Sequence, residues 1–166
     1  KKVRGAYLEE NKIKFMNEYI CNRDELPLTG GFNVANVLTA VCACRLYGAD
    51  IGVIRDGIMT FSTDEHRLKQ IECIDGRIYW DDSKGTNIAA SLAACGAMLG
   101  DTLVIMGGSD KGYGYELFFE KLPDCVKEIA LIGQTADKIA DAARKSGFES
   151  IKRCGNLESA VVYAST

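Results

Sequence analysis

From residue 102 onward the sequence alternates short apolar runs with segments of helical period, and this alternation constrains the fold more than any other feature. Thr102-Leu103-Val104-Ile105-Met106 is wholly apolar, the pattern of a strand covered on both faces. A helix is expected around residues 115–122 and a second strand over 128–132. Thr135 caps a helix running through Lys145 to Gly147, a third strand covers 150–153, and Asn156 opens a final helix. Ahead of this series, Ile88, Leu92, Cys95 and Leu99 form one apolar stripe on a helix over 86–99 closed by Gly100. The fold class is therefore α/β, a mostly parallel sheet with flanking helices and right-handed crossovers.

Upstream the grammar differs. Lys12-Ile13-Lys14-Phe15 alternates polar and apolar residues, and Glu9-Glu10-Asn11 reads as the turn out of Ala6-Tyr7-Leu8, giving two short strands. After Gly30-Gly31 the series Val34, Val37, Leu38, Val41 and Cys44 follows the helical period until Gly48. Residues 69–74 and 77–80 are strand-like around Asp75-Gly76, a strong hairpin signal. A new unit begins near Asp64, so the expected domains are 1–63 and 64–166. The chain starts without methionine in an alternating segment and ends at Ser165-Thr166 with no stop signal, so a piece of a longer protein is expected.

Twenty basic and twenty-three acidic side chains leave a net charge of −3, too little field to imply a nucleic acid or an anionic membrane as partner. No apolar run approaches the roughly 18 residues that span a bilayer. The charged start Lys1-Lys2-Val3-Arg4 leads into Gly5-Ala6-Tyr7 rather than a signal-peptide core. Seven cysteines include no C-x-x-C pair, which argues for core thiols in a reducing cytoplasm, with Cys73 and Cys95 set among apolar neighbours.

In an open parallel sheet, ligands bind beyond the carboxyl ends of the strands, where helix amino-termini present unpaired N–H groups. That rule selects two turns. Asp81-Asp82-Ser83-Lys84-Gly85-Thr86-Asn87 combines carboxylates for hydroxyls with a lysine for phosphate or carboxylate; alternatively, Asp82 or Ser83 merely caps the helix. Gly107-Gly108-Ser109-Asp110-Lys111-Gly112 permits close backbone approach and carries a second lysine; alternatively, it is an ordinary loop. Neither G-x-x-x-x-G-K-[ST] nor an in-register G-x-G-x-x-G is present. His66 is the sole histidine, which excludes a multi-imidazole metal site and leaves it to orient or cap. Arg67 forms a surface salt bridge or clamps phosphate, and Asn33 and Asn36 either cap a helix or present amides to a base.

The order of these pieces resembles the Mur ligase family. They are Gly31-Phe32-Asn33-Val34-Ala35-Asn36, then His66-Arg67, then Asp82-Ser83-Lys84-Gly85-Thr86-Asn87, then Gly107-Gly108-Ser109-Asp110-Lys111-Gly112. The Asp-Ser-Lys form of the third motif points to the D-glutamate-adding branch. The resemblance covers essentially the whole chain. It implies that 1–63 ends a central ATP-binding domain and that 64–166 forms most of a Rossmann-like carboxy-terminal domain. It further implies that Asn33 and Asn36 contact adenine, Arg67 the terminal phosphates, and Asp82 and Lys84 the ribose and phosphate region, with Arg67 and Lys84 catalytic. Thr86 and Lys111 hold D-glutamate. The implied reaction is ATP-dependent amide formation through an acyl phosphate in peptidoglycan biosynthesis, joining D-glutamate to UDP-N-acetylmuramoyl-L-alanine. A cytoplasmic monomer is implied, using ATP and Mg2+, with the magnesium ligands in a part of the central domain that this sequence lacks.

The family commonly has histidine where Phe32 stands and alanine where Gly85 stands. The P-loop and the UDP-binding domain of the family are missing, so these residues alone are expected not to catalyse. Alternatives are another Mur ligase, a folylpolyglutamate synthetase-like ligase, or a non-catalytic nucleotide- or amino-acid-binding module.

Overall fold

The structure, a computed structural model, describes residues 4–166; residues 1–3 of the charged start lie outside the described residues. The chain forms two compact units that divide between Ser83 and Lys84.

The first unit opens with an antiparallel sheet, β1 (Ala6–Glu9), β2 (Lys12–Phe15) and β3 (Glu18–Asn22), in that order. The β1–β2 hairpin is the expected one. Strand β3 was not expected, because the turn before it contains Met16 at φ 54° and no Asn-Gly or Asp-Gly signal. Helix α1 (Gly31–Leu46) matches its apolar series, and Val37 and Val41 pack with Ile13, Phe15 and Ile20. Helix α2 (Ile51–Thr60) was also missed. Gly52 and Gly57 lower its intrinsic propensity, while Asp50 starts it by accepting the Gly52 N–H at 2.7 Å. Its Ile54 completes this core, within which fully burying an Ile or Phe contributes about 1.5–3 kcal/mol.

Strands β4 (Lys69–Ile74) and β5 (Arg77–Asp81) form the expected antiparallel hairpin around Asp75 at φ 50° and Gly76 at φ 80°. Every residue of β4 is exposed, including Cys73, which the sequence had grouped with packed thiols. Lys69 pairs with Asp81, so the residues just before β4 and just after β5 meet at one end of the hairpin.

In the second unit, β6 (Thr102–Gly107), β7 (Val126–Ile132) and β8 (Ile151–Arg153) form a wholly parallel sheet in the order β6-β7-β8. The flanking helices are α3 (Ile88–Cys95), α4 (Glu116–Glu120), α5 (Ala136–Ser146) and α6 (Leu157–Ala164). Central β7 buries Val126, Ile129, Ala130 and Leu131 against Phe118, Phe119, Ile139 and Ala143. Strand β6 is only half-buried along Thr102 to Met106, because it has a strand neighbour on one side alone. Helix α3 is shorter than its stripe suggested: it stops at Cys95, Gly96 forms the cap, and Leu99 is fully exposed.

Candidate functional site

At the start of α1, Asn33 is buried and its Nδ2 donates to the Thr29 carbonyl at 2.8 Å, tying the glycine-pair entry to the helix. Its Oδ1 accepts from Nδ2 of the exposed Asn36 at 3.3 Å. The helical spacing of three thus joins the two amides, and the outer one faces solvent.

A second cluster sits at the open end of the β4–β5 hairpin. Arg67 is exposed, with its Nε 3.7 Å from Asp64 Oδ2. Its neighbours His66 and Leu68 both adopt left-handed backbone conformations, φ 68° and 41°. Each is tethered to the far side of the hairpin: His66 Nδ1 lies 2.6 Å from Asp81 Oδ2, and the Leu68 N–H donates to Asp82 Oδ1 at 2.9 Å. The His66 hydrogen bond, reinforced by the Ser83 N–H at 2.9 Å, holds the Asp81 carboxyl down at about 2. Burial pushes the Asp82 carboxyl above its ordinary value; the Leu68 N–H opposes this, the neighbouring Asp81 adds to it and Arg67 lowers it. The structure therefore brings Arg67 and Asp82 into one electrostatic cluster and adds His66 and Asp81. Sequence reasoning did not pair these two. The hairpin register was the signal, since strands of matched length return residue 81 to the neighbourhood of 66–68.

In the second unit, Asn87 rather than Asp82 or Ser83 caps α3, its Oδ1 accepting the Ala90 N–H at 2.9 Å. Asp82 and Ser83 are thereby released from the capping role. Lys84 and Thr86 are exposed in the turn before α3, joined by a Thr86 N–H to Lys84 carbonyl bond of 2.9 Å. The loop after β6 lies over the carboxyl end of β7. The Gly108 N–H donates to the Ile132 carbonyl at 3.2 Å, and buried Thr135 donates from its backbone N–H and its Oγ1 to the Gly108 carbonyl at 3.2 and 3.3 Å. Thr135 does not cap α5 with its side chain, as its sequence position suggested; it anchors this loop instead. Gly107 has φ 139°, and a Cβ there would stand 1.8 Å from the Ile132 carbonyl oxygen, so glycine is required. Asp110 accepts the Gly112 N–H at 2.8 Å and pairs with Lys138 Nζ at 3.2 Å, while Lys111 between them is exposed.

A cavity of about 580 Å³ is lined by Arg144, Phe148, Lys152 and Arg153 among others, and includes none of the candidate residues. Among the described residues no group of three or more His, Cys, Asp or Glu side chains is placed to hold a metal ion. No described helix is long and apolar enough to cross a membrane.

Over 161 residues, 96% of its length, the chain is 38% identical to the UDP-N-acetylmuramoylalanine–D-glutamate ligase of Geobacillus kaustophilus (strain HTA426). Mur ligases are thus the sequence relatives of this chain. It spans 36% of the length of that relative. Among solved structures, MurF from Acinetobacter baumannii aligns with 96% of this chain and 36% of its own, at a TM-score of 0.70 and 18% identity. The Mycobacterium tuberculosis folylpolyglutamate synthase complexed with ADP aligns with 96% and 39% at 0.68 and 17%. At such identities the likeness is one of fold. No family model matches the chain.

Proposed function

We propose that this chain is part of an ATP-dependent ligase that joins D-glutamate to UDP-N-acetylmuramoyl-L-alanine in the cytoplasmic stage of peptidoglycan synthesis. The observation that carries the reading is the 38% identity to a D-glutamate ligase over 96% of the chain. On this reading, residues 1–63 end a central ATP-binding domain and residues 64–166 belong to a carboxy-terminal domain, and the whole protein works as a monomer.

The local geometry suits a division of roles. Arg67 is exposed on a turn held from both sides, suited to a phosphoryl group on which charge develops during transfer. Asp82 is half-buried with a carboxyl raised by burial, so hydroxyl donors such as those of a ribose would satisfy its remaining lone pairs. Asn36 presents its amide outward beside adenine, with Asn33 setting its orientation. Lys84 is assigned to the phosphate region, and Thr86 and Lys111 to the D-glutamate carboxylates, where an ammonium makes a charge-assisted hydrogen bond. ATP supplies the phosphoryl group that activates the acceptor's carboxylate as an acyl phosphate, and the D-glutamate amine then displaces phosphate to form the amide. Mg2+ accompanies ATP in this reading. The described carboxylates do not group into a site for it, so its ligands are assigned outside these residues and no step is routed through it.

Product mass spectrometry tests the substrate. The gene product carrying this sequence, given ATP, UDP-N-acetylmuramoyl-L-alanine and a panel of amino acids, is expected to yield one new amide with D-glutamate. A product formed only with a diamino acid, or only on a folate, would contradict the reading.

A further inference from the structure

We propose that Asp81 is a positioning residue that, through His66, fixes the turn presenting Arg67; the proposal rests on the reading of Arg67 as a phosphate ligand.

Three observations converge on this turn. Arg67 lies between two non-glycine residues in left-handed backbone conformation, His66 at φ 68° and Leu68 at φ 41°, a state that side-chain-bearing residues hold only when their surroundings impose it. The imposing contacts come from one place, the end of β5: Asp81 Oδ2 meets His66 Nδ1 at 2.6 Å, and Asp82 Oδ1 takes the Leu68 N–H at 2.9 Å. Asp81 is in turn oriented by the Ser83 N–H on its other oxygen, at 2.9 Å. The ion pair of Arg67 with Asp64 is long and exposed, at 3.7 Å, a weak restraint on the side chain, so the backbone of the turn sets its direction.

The direction of the hydrogen bond follows from the carboxylate. With its carboxyl held at about 2, Asp81 is ionised near neutral pH and can only accept, so Nδ1 of His66 carries the proton. Removing Asp81 removes the acceptor that fixes the ring, and with it the tether on the amino-terminal side of Arg67. The Leu68 tether to Asp82 remains, which makes the expected effect a misdirected arginine rather than an unfolded turn.

The test is a kinetic cycle on the gene product that carries this sequence. Asp81→Ala is expected to raise KM for ATP about 10-fold, the scale of one charge-assisted hydrogen bond misplaced, and to leave KM for D-glutamate unchanged. In an Arg67→Ala background the same substitution is expected to change KM for ATP less than about twofold, because the residue it acts through is gone. An equal factor in both backgrounds, or equal rises in both KM values, would overturn the proposal and assign Asp81 a general structural role. No ligase turnover by the unsubstituted protein would overturn the functional reading and this proposal together. Normal turnover with an inert Asp81→Ala would overturn this proposal alone. Should Asp81→Ala not fold, the chain itself supplies a second readout, since His66 is its only histidine. Long-range proton–nitrogen correlation is expected to show a protonated Nδ1 near neutral pH. An unprotonated Nδ1 would overturn the proposal.

Discussion

Asp81 and Asp82 are adjacent carboxylates driven in opposite directions by their surroundings. The His66 hydrogen bond, followed by the Ser83 contacts, depresses the Asp81 carboxyl from an ordinary 3.8 to about 2. A depressed carboxyl stabilises the folded state above its unfolded value, and that contribution fades as pH falls through the folded one. Wild type is thus expected to melt above Asp81→Asn at about pH 5, with the gap closing between about pH 4 and pH 2, measured by thermal unfolding across that range. A constant gap would show that the carboxylate's charge is not what matters. Asp82 is raised instead, chiefly by burial, and so favours folding less as it ionises. Such a group gains from a ligand that donates hydrogen bonds. Among the residues singled out from sequence, Arg67 and Asp82 interact electrostatically, and Asn33 and Asn36 do bond. The His66–Asp81 pair spans 15 residues, beyond helical or turn spacing, and only the register of the β4–β5 hairpin points to it.

At the scale of elements, the loop after β6 offers an internal comparison. Gly107 and Gly108 both have positive φ, 139° and 121°, but only at Gly107 does an added Cβ meet backbone, 1.8 Å from the Ile132 oxygen. Gly108→Ala is expected to cost about 1–3 kcal/mol from backbone strain alone, whereas Gly107→Ala should exceed that range because β6 must move off β7. Denaturant unfolding of both variants checks the order, and equal losses would contradict it. The cap of α3 gives a smaller effect: Asn87→Ala is expected to lose about 1 kcal/mol, read in the same unfolding assay. Elements with strong local signals were legible in the sequence. The Asp75-Gly76 hairpin, the parallel strands of the second unit, and the Gly147 stop of α5 all lie where periodicity and turn chemistry put them. The missed elements lacked those signals. Strand β3 follows a turn with no glycine, α2 carries two glycines, and α3 stops early because Gly96 interrupts a stripe that periodicity alone carried on to Leu99. Thr135 shows the limit of capping rules, since its hydroxyl donates to the Gly108 carbonyl of the neighbouring loop and accepts no N–H from its own helix.

At the scale of the whole molecule, the two units carry different parts of the proposed chemistry. Asn33, Asn36, Arg67 and Asp82 lie in the first, and Lys84, Thr86 and Lys111 in the second. The chain spans 36% of the length of its Geobacillus relative, its sequence has no P-loop, and among the described residues no side chains cluster to hold a metal. Calorimetry of these 166 residues with ATP is therefore expected to show no tight binding. A sub-micromolar Kd, about 8 kcal/mol or more, would favour a self-sufficient nucleotide-binding module. The central claim, that this chain serves a D-glutamate ligase with Lys111 as an amino-acid contact, is tested most directly by steady-state kinetics of Lys111→Ala in the gene product, with ATP and D-glutamate varied independently. Loss of one charge-assisted contact, about 1.5–3 kcal/mol, is expected to raise KM for D-glutamate roughly 10- to 100-fold and leave KM for ATP unchanged. Unaltered KM for D-glutamate, or a rise confined to ATP, would contradict it.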